Sequence, residues 1–363
     1  MGKTTFNITE WLESKFDAEK YRYQDIRQKF INISRDINRL IVEMNNDSHY
    51  LVPFINGLYG DKMAVKGHKA LINMAFRHQS KNIEPEEIEK LFRFEDFNGR
   101  LVILVHGLMN DETTWTSEPN DEIQRLGSRL EKKAGAVILY VRYNTGLHIS
   151  ENGKKLNTLI ENLTGYFGDK LKEISVIAHS MGGLVTRSAC YYGADNRWVS
   201  LLKNIVLIGV PNEGSYLARI AHLIQYYLKK VDISEKKSFA GFFDIRSNGI
   251  KDLSFGIMVD EDWKKNSGNE KEIQSTKVLP IPGVRYTLIA ATLTDSSARK
   301  SVMGYFGDGL VEAKSALSEV FRCEQIKDGQ VLMKLFGKEN HVTLLESDEV
   351  EHFIRETLGW KNK

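Results

Sequence analysis

The sequence predicts an α/β fold in which a mostly parallel sheet carries helices on both faces. From residue 100 onward, short apolar runs rich in β-branched residues alternate with segments of helical periodicity, a pattern typical of such sheets. In addition, the loops after several of these runs contain Gly, Ser, His or Asp. Because ligand sites in parallel sheets lie beyond the carboxyl ends of the strands, these loops predict one shared site.

Each element follows from its own stretch of sequence. The predicted strands are the apolar runs at 100–105, 136–142, 174–178, 204–210, 285–292 and 330–336. The predicted helices lie between them, near 121–133, 154–166, 182–192 and 214–229, and one near 347–358 closes the fold. The strand that ends before Ser180 is the third of the set.

Residues 1–97 form a separate predicted unit, an N-terminal helical region ahead of a catalytic domain at 98–363. Six apolar residues step by three and four along one helix face: Ile26, Phe30, Ile33, Ile37, Leu40 and Met44. Pro85 precedes acidic residues, as at a helix start. Two interpretations stay open, a helical layer packed on the core and a bundle that binds a partner or oligomerises.

Ser180 is the candidate nucleophile. The apolar run 174–178 predicts a buried strand, and 184–192 predicts a helix. A serine at a sharp strand-to-helix turn is a nucleophile elbow, which needs small neighbours because the chain segments pass very close there. Ala178, Gly182 and Gly183 supply them.

These motifs resemble a known family. His106-Gly107-Leu108-Met109, Ala178 to Gly183, Gly307 to Val311 and Asn340-His341 resemble the bacterial lipase and esterase branch of the α/β-hydrolases. The stretch Gly209 to Ser215 is similar to that branch too, with substitutions, and residues 143–153 are similar to bacterial proteins grouped with the GPI inositol-deacylase-like hydrolases. The resemblance covers about residues 98–358 and implies the α/β-hydrolase fold.

The resemblance implies a Ser-Asp-His triad in the chain order of that fold. Ser180 would attack, His341 would take its proton, and Asp308 would hold the imidazole. The backbone N–H groups of Leu108 and Met181 would form the oxyanion hole.

Rival residues exist for two of these roles. Asp295 is the alternative to Asp308, whose surroundings resemble the acid loop of the family. His148 and His352 are the alternatives to His341, which follows the last predicted strand as the fold requires. Five residues are expected to line the substrate site: His106, Gly107, Met109, His148 and His179. For His106 and His179, ordering of the loops is the more usual role.

Residues 211–284 exceed what one crossover helix needs and are a candidate cap. A broad apolar stripe runs from Tyr216 to Leu228, and further Phe, Ile and Leu residues follow as far as Leu253. Three interpretations stay open: a core helix with surface loops, a cap that offers apolar walls to an acyl chain, and a surface that adsorbs to lipid. The polar segment 260–275 is expected to be a flexible excursion.

Composition excludes several classes. With 50 basic and 48 acidic side chains, a formal charge of +2 favours no nucleic-acid partner. Two cysteines, Cys190 and Cys323, make no disulfide framework and are expected to be reduced core thiols. There is no signal-peptide run and no apolar stretch of membrane-spanning length, so a cytoplasmic location is expected. We expect no cofactor and no metal, since the sequence has no H-E-x-x-H and no paired C-x-x-C motif. The resemblance to secreted lipases does not add a structural calcium, because Val342 follows His341 where those lipases often carry an Asp.

The function expected from these observations is hydrolysis of carboxylic esters, of lipase or esterase type, through an acyl-enzyme. Amidase or acyltransferase use of the same intermediate stays open, since the fold hosts many reactions. The expected partners are an ester with an apolar acyl group and, as an option, peripheral contact with a membrane. The alternative from another class is a hydrolase-like scaffold that binds a protein or a membrane with weak or no catalysis.

Overall fold

The computed structural model describes residues 50–79, 81–91, 97–117, 121–133, 136–215, 220, 224, 246–265, 275–293, 311, 315, 319–322 and 330–360. The chain divides into two compact units, Met1–Leu51 and Val52–Lys363. Nearly all described residues belong to the second unit, which contains the sheet. The predicted helix face from Ile26 to Met44 lies outside the described residues.

Eight strands and nine helices are described. The strands are β1 (Ala75–His78), β2 (Lys81–Asn82), β3 (Arg100–Val105), β4 (Val137–Arg142), β5 (Glu173–His179), β6 (Leu202–Ile208), β7 (Arg285–Thr292) and β8 (Val331–Gly337). The described helices are α1 (Leu51–Lys66), α2 (Pro85–Leu91), α3 (Leu126–Lys133), α4 (Ile149–Phe167), α5 (Met181–Tyr192), α6 (Arg197–Ser200), α7 (Asn248–Phe255), α8 (Asp260–Lys265) and α9 (Asp348–Thr357). No helix among the described residues is long and apolar enough to cross a membrane.

The strands form one mostly parallel sheet in the order β2-β1-β4-β3-β5-β6-β7-β8. Strands β3 to β8 run parallel, whereas β1 is antiparallel to both of its neighbours, β2 and β4. This sheet, with crossover helices between its strands and a serine turn after β5, is the α/β-hydrolase fold. The predicted fold class is confirmed.

The register of β3, β5 and β6 places the loops that follow these strands at the same edge of the sheet. Val105 at the end of β3 pairs with Ala178 of β5, and His179 pairs with Ile208 at the end of β6. The chain therefore leaves three neighbouring strands at the same edge of the sheet, just before His106, Ser180 and Gly209.

Helices cover both faces of the sheet. On one face, alternate strand residues such as Leu104 and Ile177 form a core with Leu126 and Leu130 of α3 and Ile354 of α9. The intervening strand residues point to the opposite face and are equally buried. On that side α5 packs against β3 and β5, and α4 packs against α5.

The structure adds a β-hairpin to residues 1–97, which were predicted to form a helical region. Residues 75–82 form a β-hairpin, and Ala75, Phe76 and Arg77 pair with Arg142, Val141 and Tyr140 at the edge of the sheet. Strands of four and two residues are too short to show a period in the sequence. The described part of the predicted N-terminal region thus contributes to the same sheet as the predicted catalytic domain, while α2 begins at Pro85 as predicted.

Other predicted helices and strands match the structure in their central residues but differ in where they begin or end. Helix α4 begins at Ile149 rather than near 154, because the Glu151 carboxylate accepts a hydrogen bond from the His148 backbone N–H in a capping box. The segment expected to be a flexible excursion begins as helix α8, and buried Asp262 accepts hydrogen bonds from the backbone and hydroxyl of Thr276. Most of the predicted helix 214–229 lies outside the described residues.

Of the two cysteines, Cys190 lies in α5 as a buried free thiol. Burial raises the pKa of this thiol to about 12, so it is not a reactive thiolate at neutral pH. Cys323 lies outside the described residues.

Candidate active site

Ser180 occupies a strained turn between β5 and α5. Its φ is 54° and its ψ is −128°, a region that residues with a side chain rarely adopt. The turn is held because the Ser180 backbone N–H donates to the carbonyl of Ile208, with an N–O distance of 2.9 Å. The side chain is almost fully buried. This is the geometry of a nucleophile elbow.

Two glycines let the loop after β3 approach this turn. A Cβ on Gly107 would lie 2.9 Å from the Cβ of Ser180. A Cβ on Gly182, in the first turn of α5, would collide with the carbonyl oxygens of Val105 and His106. The structure therefore brings Gly107 directly against Ser180, and only glycine permits that approach.

Of the two predicted oxyanion donors, Met181 follows Ser180 in the chain, and Leu108 follows Gly107, which packs on Ser180. Leu108 follows Gly107 in a tight turn, and Met181 is the first residue of α5; both are buried. Within the described part of the chain, neither backbone N–H has a hydrogen-bond acceptor. The next residue, Met109, is fully buried with a φ of 60°, and its N–H donates to Thr145 Oγ1 at 3.1 Å.

His341 lies in the loop after β8, at the same end of the sheet. Its carbonyl accepts a hydrogen bond from Nε2 of His179, the residue before Ser180, at 3.0 Å. The two imidazole rings have centroids 4.5 Å apart. Asn340 shapes the loop, because its Oδ1 accepts from the backbone N–H groups of Val342 and Thr343. Between Ser180 and His341 themselves, the described contacts include no hydrogen bond.

The two candidate acids, Asp308 and Asp295, lie outside the described residues. The motif that contains Asp308 ends at Val311, which is described and buried. Val311 packs against Ala290 of β7, and Leu335 of β8 packs on the same cluster. The end of the motif therefore lies beside the last two strands, which precede the loop of His341.

His106 is enclosed by the protein. Its Nδ1–H donates to the carbonyl of Gly107 at 2.9 Å, and its Nε2 accepts from the backbone N–H of Tyr143 at 3.3 Å. The Tyr143 ring stacks on the imidazole, and its hydroxyl donates to the His106 carbonyl. Burial lowers the pKa of His106 to about 4, so the ring is neutral at physiological pH and orders the loop.

His179 is likewise buried and holds the elbow to the loop of His341. Burial, reinforced by the nearby imidazole of His341, lowers the pKa of His179 well below its ordinary value. Since Nε2 donates to the His341 carbonyl, Nδ1 is the unprotonated nitrogen. The indole of Trp115 packs edge-on against the ring.

The two histidines that rival His341 have other surroundings. Nδ1 of His148 lies 3.0 Å from the carboxylate of buried Asp252 in α7, and its ring stacks on Trp263 at a centroid distance of 3.9 Å. His352 lies exposed on α9 and pairs with Glu356, one helical turn further on. Asp252 was not predicted, because it is 104 positions from His148.

A buried charge network anchors the far end of the loop that carries Leu108. The Glu112 carboxylate accepts from Arg77 Nε at 2.9 Å and from Arg142 Nε at 2.6 Å, and Arg142 also pairs with Asp111. Burial would raise the pKa of Glu112, but the hydrogen bonds and charges of Arg142 and Arg77 outweigh it and lower the pKa. No local pattern in the sequence predicts this network, whose members lie up to 65 positions apart, from Arg77 to Arg142.

Arg187 of α5 holds the loop after β6 in the same way. Its guanidinium donates to Asn212 Oδ1 at 2.9 Å and to the carbonyl of Val278 at 2.6 Å. Burial lowers its pKa to about 10, so the group stays charged at neutral pH. The loop 209–215 is the stretch whose sequence is similar to the lipase branch. The hydrogen bond to Asn212 fixes it to α5, the helix that follows Ser180.

Comparison with known proteins gives distant structural likenesses. A protein-family model described as a domain of unknown function, DUF7379, matches residues 69–239. No curated protein matches the chain. A lipase from Bacillus licheniformis in its mature form is similar over 71% of this chain and 90% of that one, with 17% identity and a TM-score of 0.44. An esterase from Pyrococcus furiosus is similar over 74% of this chain and 84% of that one, with 18% identity and a TM-score of 0.43.

Proposed function

We propose that this protein is a serine hydrolase that cleaves carboxylic esters through an acyl-enzyme at Ser180. The observation that carries the proposal is the strained elbow at Ser180, with φ 54°, against which Gly107 packs so closely that a Cβ there would lie 2.9 Å away. Strain of this kind persists only where the surrounding structure enforces it, and it is concentrated at functional sites.

In the proposed reaction His341 acts as the general base that takes the Ser180 proton and returns it to the leaving alcohol. Its place in the loop bound to His179 supports this role. Serine–histidine hydrogen bonds in free enzymes are often long and tighten only with substrate bound. We assign the acid to Asp308, whose motif ends at Val311 beside β7 and β8.

The N–H groups of Leu108 and Met181 are the proposed oxyanion hole. Two observations support this assignment: Leu108 follows Gly107, which packs on Ser180, and Met181 begins α5, whose positive dipole end would face the tetrahedral oxyanion. Hydrogen bonds to that oxygen strengthen in the transition state and thereby raise kcat.

Esters with apolar acyl groups are the proposed substrates, with residues 211–284 as the candidate cap. Helix α7 supports this placement: a Cβ on Gly249 would lie 3.1 Å from Cε of Met181, so this segment reaches the elbow. The likeness of residues 143–153 to the GPI inositol-deacylase-like hydrolases adds glycerolipid esters to the substrates to test.

A series of p-nitrophenyl esters from acetate to palmitate tests the proposal. We expect hydrolysis by the wild type, a fall of at least about 10³-fold in Ser180→Ala, and wild-type rates in Ser200→Ala, which changes an exposed serine of α6. A rate maximum at short chains would leave an esterase and exclude a lipase. Absence of turnover, or equal turnover in Ser180→Ala, would favour the non-catalytic scaffold.

A further inference from the structure

We propose that Thr145 is a positioning residue for the oxyanion hole, a role that rests on the proposed function. Its hydroxyl oxygen accepts the N–H of Met109 at 3.1 Å. That contact fixes the peptide between Leu108 and Met109 and so restricts the backbone angles of Leu108, which relate this peptide to the Leu108 N–H.

Met109 needs such a partner because its backbone is strained. Its φ of 60° lies in the left-handed region, and its side chain is fully buried. A buried backbone N–H without an acceptor is costly, and a strained residue persists only where its neighbours enforce it. The Thr145 hydroxyl satisfies this N–H and thereby stabilises the strained conformation.

Thr145 is itself held on both sides. The preceding residue, Asn144, donates from Nδ2 to the carbonyl of Gly60 at 3.0 Å and accepts from the N–H of Gly146 at 3.0 Å. Gly146 in turn accepts from the N–H of Gly249 at 3.1 Å. The hydroxyl is therefore presented from a fixed loop between α1 and α7.

Helix α1 encloses the contact. A Cβ on Gly57 would collide with the Met109 side chain and would lie 3.2 Å from Thr145 Oγ1. This helix thus packs closely against the Thr145–Met109 hydrogen bond. Helix α1 belongs to residues 1–97, in which the sequence shows no catalytic motif, yet it supports the loop of the proposed oxyanion hole.

Because of this hydrogen bond, the adjacent backbone N–H groups of Leu108 and Met109 have different roles. The N–H of Met109 is committed to Thr145, whereas the N–H of Leu108 has no acceptor among the described residues. If the Thr145 acceptor is lost, the Met109 peptide is free to rotate and the Leu108 donor shifts with it. Displacement of a donor that acts in the transition state lowers kcat and leaves KM nearly unchanged.

The substitutions Thr145→Val and Thr145→Ser distinguish a role of the hydroxyl as hydrogen-bond acceptor from a role of the side chain in packing. Thr145→Val keeps the shape and removes the acceptor, whereas Thr145→Ser keeps the hydroxyl and removes a methyl group. The matched control is Thr164→Val in α4, which removes an equally buried hydroxyl that donates to the carbonyl of Ile160. Initial rates with a p-nitrophenyl ester give kcat and KM, and circular dichroism establishes that each variant is folded.

We expect Thr145→Val to lower kcat about 10- to 100-fold with KM within about threefold. Thr145→Ser and Thr164→Val should keep kcat within about threefold of the wild type. If Thr145→Val does not fold, Thr145→Ala replaces it under the same criterion.

The inference is overturned if a folded Thr145→Val keeps kcat within about threefold of the wild type, if only KM changes, or if Thr145→Ser is as slow as the valine variant. Failure of the proposed function has a different signature. In that case the wild type hydrolyses no ester, or Ser180→Ala hydrolyses it equally fast. Thr145 would then have no oxyanion hole to position.

Discussion

Nε2 of His179 donates a hydrogen bond to the backbone carbonyl of His341 at 3.0 Å, across 162 positions of sequence. The residue before the candidate nucleophile is thereby bound to the residue proposed as its base. Both rings are buried, with centroids 4.5 Å apart. The hydrogen bond therefore fixes the loop after β8 to the elbow after β5.

His179→Phe should slow the reaction without weakening substrate binding. Phenylalanine keeps a buried ring but cannot donate to the His341 carbonyl, so the loop loses its attachment. We expect kcat to fall about tenfold or more while KM stays within about threefold. His352→Gln on the exposed surface of α9 is the control and should leave both constants unchanged. Equal kcat in the two variants would show that the His179 contact does not position His341.

Stability should fall at acid pH because of His106. Its pKa is about 4 in the folded protein, against an ordinary value of 6.5. Below pH 6.5 the unfolded chain binds a proton that the folded chain does not bind until about pH 4, so the free energy of unfolding falls across that window. At pH 4.5 this residue alone should remove about 2 kcal/mol.

Urea unfolding at pH 7 and pH 4.5, on the wild type and on His106→Gln, measures that contribution. Glutamine does not titrate, so the loss between the two pH values should be about 2 kcal/mol smaller in the variant. An identical loss in both proteins would show that His106 takes up its proton equally in the folded and unfolded states.

The buried pairing of Glu112 with Arg77 and Arg142 should matter far more than a surface pair. Arg77 is only 8% exposed in its side chain, so Glu112→Gln removes a buried negative charge that accepts hydrogen bonds from Arg77 and Arg142. We expect the free energy of unfolding at pH 7 to fall by about 3 kcal/mol. Asp169→Asn removes the exposed partner of Arg197 and should cause no measurable change. Similar effects in the two variants would contradict a buried role for Glu112.

Gly60 and Gly165 are both helical glycines, and their replacement by alanine should have opposite effects. A Cβ on Gly60 of α1 would collide with the side chain of Asn144, which is buried and hydrogen-bonded on both sides. A Cβ on Gly165 of α4 would meet no atom of the described residues within 4 Å. In thermal unfolding we expect Gly60→Ala to lose about 1–3 kcal/mol and Gly165→Ala to gain about 0.5–1 kcal/mol. A gain in both would mean that α1 does not pack tightly against the Asn144 loop.

The sequence alone predicts those parts of the fold and of the candidate site that depend on residues close together in the chain. Six parallel strands and the elbow at Ser180 follow from apolar runs of five to eight residues and from small residues at 178, 182 and 183. Each of these signals lies within about ten positions, the range over which periodicity and turn chemistry act. The hairpin at 75–82 was missed because its strands hold only four and two residues.

The contacts that organise the site join distant segments, and no local pattern predicts them. Thr145 binds Met109 across 36 positions, and His148 binds Asp252 across 104. His106 and His179 were expected to line the substrate site, with loop ordering as their more usual role. The structure gives both rings hydrogen bonds to the backbone of neighbouring loops. Such pairings depend on how the sheet brings strand ends together, which a single sequence does not encode in its spacing.

The most direct test of the account is covalent labelling with a fluorophosphonate, read by mass spectrometry of the digested protein. A serine activated by a neighbouring base displaces fluoride and keeps the phosphonyl group, whereas an ordinary serine does not react. We expect one adduct per chain, on the peptide that contains Ser180, and none in folded Ser180→Ala. A folded wild type that stays unlabelled, or that carries its adduct on another serine, would contradict it.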